Sequence, residues 1–175
     1  MIKDEARIKL TDNYGKKQVI LPEHQGQYKI TIRDIPENTI VIDPEKFESP
    51  KTIFKGNKGE CKRADYIIIS NENTGKFIII IEMKAGKAIE KDVIKQLKGA
   101  ECLVYYCKEI GKSFWGHSSF LNGYQYRFVS VKQILVNKKS TREKKEPKIH
   151  NHPENMLKIA YQNTFVFNKL IGKLP

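Results

Sequence analysis

Two apolar runs separated by a turn constrain this chain more than any other feature. Tyr66-Ile67-Ile68-Ile69 and Phe77-Ile78-Ile79-Ile80-Ile81 consist of β-branched and aromatic residues, and the Asn and Gly residues of Asn71-Glu72-Asn73-Thr74-Gly75 between them favour a turn. The pattern predicts an antiparallel hairpin. Folding it about the turn sets the start of the first strand beside the end of the second, so Asp65 is expected next to residues 81 to 83. Side chains alternate faces along a strand, so Glu82 and Lys84 share one face while Met83 points to the other. Asp65, Glu82 and Lys84 can therefore converge. A slip of one residue in register would turn Asp65 away.

Neighbouring carboxylates repel, and a hard divalent cation with oxygen ligands is the usual means of keeping both ionised. Mg²⁺, or Mn²⁺, fits such a pair. It would polarise a phosphoryl oxygen and bind the attacking water, with the Lys84 ammonium near enough to position that water or steady developing charge. The expected chemistry is phosphodiester hydrolysis.

Asp65 followed by Glu82-Met83-Lys84 resembles the signature of the PD-(D/E)XK, or restriction-endonuclease-like, nuclease superfamily. The resemblance spans roughly residues 52 to 136. It implies that Asp65 and Glu82 bind the metal, that the Met83 carbonyl is a further ligand, and that Lys84 acts at the nucleophilic water. Ala64 stands where many members have proline. After the hairpin, Ile89, Val93, Ala100, Leu103 and Cys107 recur at helical spacing and Gly111 sits where a helix would end, which predicts a helix of about 20 residues. Gln96 falls on the same stripe, facing the sheet, where its amide needs partners. By resemblance it is a catalytic-site glutamine; otherwise it is an amide bonded to neighbouring backbone.

The chain carries 32 Lys and Arg against 20 Asp and Glu, a formal charge of +12, which favours a polyanionic partner. Lys51, Lys55, Lys58, Lys62 and Arg63 lead directly into Asp65. Lys138, Lys139, Arg142, Lys144, Lys145 and Lys148 form a second run that reads as a loop. Lys58, Lys62 and Arg63 from the first run, with Lys138, Lys139, Arg142, Lys144 and Lys145 from the second, are the candidate nucleic-acid contacts, salt-dependent and indifferent to sequence. DNA is favoured over RNA. For the second run, a solvated loop without a partner explains the composition equally well.

Residues 1–50 read as a β-rich extension containing a hairpin, Tyr28–Arg33 with Thr39–Ile42 about the turn Pro36-Glu37-Asn38. No helix is apparent before the core, so a further acidic ligand lacks an obvious source; Glu60 is nearest, with Glu45 and Glu48 beyond it. Residues 51–175 read as the nuclease-like core, with Tyr126 to Val136 as another core strand and the type of the stretch from Asn155 to Leu174 undecided. Trp115, Tyr124 and Tyr126 are candidates for base stacking, although packing is the commoner use of such aromatics.

Other classes are disfavoured. Three cysteines without zinc-type spacing argue against a metal finger or a disulfide framework. No run reaches transmembrane length and the amino terminus is unlike a signal peptide, so a cytoplasmic protein without membrane association is expected. His150-Asn151-His152 does not make an HNH nuclease, whose letters name residues spread through a ββα motif.

The reading is thus an α/β fold with a mixed central sheet, a long helix after the E-x-K strand, and a β-rich extension. The expected function is metal-dependent cleavage of DNA, or of RNA, in the manner of nucleases that serve in defence or repair. A homodimer or a larger partner protein would then supply target choice. The alternative is a nucleic-acid-binding or assembly subunit that keeps this fold without cutting.

Overall fold

The computed structural model describes residues 2–24, 28–72, 75–86, 88–132, 149–160 and 162–172. The strands are β1 (Arg7–Ile8), β2 (Thr11–Asn13), β3 (Lys16–Pro22), β4 (Lys29–Ile35), β5 (Thr39–Ile42), β6 (Tyr66–Glu72), β7 (Gly75–Lys84), β8 (Gln125–Lys132), β9 (Leu157–Ala160) and β10 (Thr164–Val166). The helices are α1 (Glu90–Trp115) and α2 (Phe167–Leu170). Six strands form one sheet in the order β1-β5-β6-β7-β8-β9, and four form a second in the order β10-β4-β3-β2. Among the described residues, no helix is long and apolar enough to cross a membrane.

β6 and β7 make the expected hairpin, with Tyr66 opposite Ile81 and Glu72 opposite Gly75. Every residue of β7 from Phe77 to Met83 is buried, which is why the run is apolar without alternation. Ile78 and Ile80 pack toward α1 with Ile67, Val93, Leu97 and Phe128. Ile79, Ile81 and Met83 face the second sheet and meet Leu21, Ile30 and Ile32. Each such side chain contributes about 1.5–3 kcal/mol by burial, so the doubly covered hairpin is the energetic centre of the fold. α1 carries the chain across to β8, which runs parallel to β7.

α1 is longer than expected and ends at Gly116, left-handed at φ 66°, rather than at Gly111. Gly111 is internal because the Phe120 ring lies where its side chain would be, with a Cβ there only 2.3 Å from that ring. The buried stripe is Val93, Leu97, Ala100 and Val104. Ile89, assigned to that stripe from sequence, is instead the N-cap residue and largely exposed.

The first 50 residues are not a separate hairpin. β4 pairs with β3 in the second sheet, while β5 pairs antiparallel with β6 and extends the main sheet, with β1 outside it. The carboxyl-terminal stretch supplies both sheets, β9 beside β8 and β10 parallel to β4. β8 ends at Lys132, and the second basic run, including Lys138, Lys139, Arg142, Lys144 and Lys145, lies outside the described residues.

Candidate functional site

The register that pairs Tyr66 with Ile81 sets Asp65 across from Glu82 at the open end of the hairpin. Asp65 is anchored there: the Met83 amide donates to its Oδ2 at 2.6 Å. Glu82 follows Ile78 and Ile80 on the α1 face of the sheet and is wholly buried. Its close charged partner is the Lys84 ammonium, 2.5 Å from Oε1. Beside it on β8, Ser130 pairs with Glu82 in register, and its buried hydroxyl has no hydrogen-bond partner among the described residues. An ionised carboxylate so placed costs several kcal/mol to desolvate, more than one imperfect ion pair returns.

The electrostatics follow from that crowding. Burial pushes the Glu82 carboxyl up to about 8, the Asp65 charge pushes in the same direction, and the Lys84 ammonium opposes both. Burial lifts Asp65 to about 6 against the Met83 amide and the Lys84 charge. Desolvation pulls the Lys84 ammonium down, but Glu82 and Asp65 outweigh it, and its pKa is raised. Without a further cation the pair therefore retains a proton near neutrality, while the lysine stays charged.

Of these three side chains only Lys84 lines the adjoining cleft, whose volume is about 960 Å³. Gln96 lines it from α1, so its amide is half-buried in the cleft wall. Lys51, Lys55 and Lys62 border it from the segment before β6, and Glu45 and Asp92 contribute acids. Lys62 is engaged with Asp92 at 2.8 Å, tying this segment to the first turn of α1. Gly99 lets the two approach: a Cβ there would lie 1.7 Å from the Lys62 carbonyl.

Arg63 is used internally. Its guanidinium donates to the carbonyls of Pro44 at 2.9 Å and Phe47 at 2.7 Å, and to that of Glu48. Glu60 is likewise committed to its own loop, accepting from the Gly56 and Lys58 amides at 2.9 Å each. Lys51, Lys55 and Lys58 are exposed, and no acid among the described residues pairs with their ammonium groups. Trp115 is exposed at the end of α1, whereas Tyr126 lies against Phe128 and Tyr105.

The β3–β4 end reaches this site, which the sequence did not reveal. His24 stacks on Tyr66 at 5.4 Å between centroids, with Nε2 3.4 Å from Asp43 and Nδ1 3.7 Å from Glu45. Tyr28 donates its hydroxyl to the Val131 carbonyl at 3.3 Å, and Glu23 is buried with no partner for Oε2 among the described residues. Only an isolated acid at a strand end, Glu23 after Leu21-Pro22, could have flagged this group in the sequence.

Asp65 and Glu82 bring carboxyl oxygens together at the hairpin end, the type of donor that a hard divalent cation takes. Among the described residues, no group of three or more His, Cys, Asp or Glu is arranged to hold a metal ion. Compared with known proteins, the chain matches no family model, no curated protein and no solved structure.

Proposed function

We propose that the chain is a metal-dependent nuclease of the PD-(D/E)XK kind, hydrolysing phosphodiester bonds of DNA, with RNA as the other candidate substrate. One observation carries the reading: Glu82 is a wholly buried carboxyl group set between Asp65 and Lys84 at the head of a basic cleft, with the Lys84 ammonium as its close counter-ion. A core strand would hold an apolar residue there if packing were its only role. The order of elements is compatible, since antiparallel β5, β6 and β7 precede α1 and parallel β8.

In this reading Asp65 and Glu82 hold Mg²⁺ or Mn²⁺, with the Met83 carbonyl as a third donor by resemblance. The ion, when bound, would neutralise phosphate charge and acidify a water. The chain's own residues do the rest. The Met83 amide fixes the Asp65 carboxylate, Lys84 presents a permanent positive charge at the cleft to orient the attacking water and balance charge on phosphorus, and Gln96 offers an amide across the cleft. A role in defence or repair, and a homodimeric or larger assembly that chooses targets, belong to the same proposal.

The non-cutting alternative has one observation in its favour: Lys84 already serves Glu82 as an internal counter-ion. Calorimetric titration with Mn²⁺ separates the readings. The nuclease proposal expects one site per chain, abolished by Glu82→Gln; salt-sensitive DNA binding without metal binding favours the subunit.

A further inference from the structure

The cleft combines features that a duplex surface does not explain. Asp65 and Glu82 are recessed, and only Lys84 of the three faces the opening. A phosphate approaching Lys84 enters between the segment before β6 and α1, both of which line the cleft. At about 960 Å³ the cleft is at the upper end of small-ligand pockets, enough for nucleotides of one strand. Its basic border also displays apolar side chains, Phe54 at 50% exposure and Ile89 at 68%, both lining the cleft. Phosphate binding needs neither. A splayed-out base, with two apolar faces, needs both a ring to stack on and cations for its backbone.

We propose that the cleft binds single-stranded nucleic acid, one unpaired base stacking on Phe54 and the adjoining phosphates running along Lys51 and Lys55. This rests on the nuclease reading only for where the scissile phosphate goes. The backbone holds Phe54 in place, since its amide donates to the Pro50 carbonyl at 3.0 Å, and the next turn is shaped by the Glu60 carboxylate on Gly56 and Lys58. Of the two acids that line the cleft, Asp92 is answered by Lys62 at 2.8 Å and Glu45 stands 3.7 Å from the His24 ring.

The test is equilibrium binding of a fluorescein-labelled dT oligonucleotide, the matching ribo-oligonucleotide and a DNA duplex of equal length, all in EDTA, to wild type, Phe54→Ala, Phe54→Trp and the Lys51→Ala/Lys55→Ala double variant. Both single strands are expected to bind at least tenfold tighter than the duplex. Phe54→Ala should weaken single-strand binding about tenfold or more and leave duplex binding unchanged, and Phe54→Trp should restore it with quenching of the new indole on binding. Equal single-strand affinity in wild type and Phe54→Ala, or a preference for duplex, overturns the proposal. Because no cleavage is read, a chain that cuts nothing yet shows the Phe54 effect loses the nuclease reading and keeps this one. Metal-dependent duplex cutting at full rate by Phe54→Ala does the reverse.

Discussion

Lys84 and Glu82 sit two residues apart on one face of β7, the ammonium 2.5 Å from a carboxylate that has no exposure of its own. The lysine reaches the cleft while the glutamate cannot, so the pair joins the buried hairpin end to the surface where a substrate would arrive. On the nuclease proposal, replacing the glutamate should remove cleavage while leaving metal-free stability intact.

Glu82→Gln keeps the shape and puts a neutral amide where burial already holds the carboxyl largely protonated near neutrality. Without metal its Tm should stay close to that of wild type at pH 7 and exceed it at pH 9, where the wild-type carboxylate is ionised and desolvated. Cleavage should fall at least ~100-fold, the scale on which one electrostatic group acts in a preorganised site. Thermal unfolding in EDTA and a cleavage assay read the two effects.

The pH dependence has a definite sign. In the unfolded chain these carboxyls titrate near ~4, whereas in the fold burial holds Asp65 at about 6 and Glu82 at about 8. Between those values the folded protein binds more protons than the unfolded, so stability falls as pH rises from about 4 to about 8 and then levels. Metal-free Tm measured across that range should decline in wild type and flatten above pH 6 in Glu82→Gln. Identical profiles for the two proteins would contradict the assignment.

Gly99→Ala tests the seam between α1 and the segment leading into Asp65. In an exposed helix this change gains up to ~1 kcal/mol, but here the new methyl meets the Lys62 carbonyl, and overpacking against backbone costs about 1–3 kcal/mol. Urea unfolding should show destabilisation, with reduced cleavage as Asp65 shifts; a stabilised variant would rule out the close approach.

Salt dependence sorts the basic residues. Lys55→Ala and Lys58→Ala should each reduce the slope of log affinity against log salt by about one, since both are exposed and free of acidic partners among the described residues. Arg63→Ala should leave that slope unchanged and cost about 2 kcal/mol of stability, because its guanidinium braces the carbonyls of Pro44, Phe47 and Glu48. Filter binding over a salt series, with urea unfolding, distinguishes the roles.

The hairpin and the meeting of Asp65 with Glu82 were legible because both depend on local pattern: a run buried on two faces, a turn, and a register fixed by alternation. What was not legible depends on distant pairing. Thr39–Ile42 reads equally well as the partner of Tyr28–Arg33 or of β6, and only the assembled sheet decides for β6. The approach of His24 and Tyr28 to Tyr66 and Val131 leaves no mark at any fixed spacing. Gly111 looked like a helix stop because a glycine that admits Phe120 and a glycine that caps a helix are the same letter.

The most direct measurement is cleavage of plasmid, single-stranded DNA and RNA by wild type, Asp65→Asn and Lys84→Ala, each with Mg²⁺, Mn²⁺ or EDTA. The account predicts cutting by wild type that requires metal and disappears in both variants while their Tm values stay close to that of wild type. Cutting that persists in EDTA or in folded Lys84→Ala, or its absence from wild type on every substrate, would contradict it.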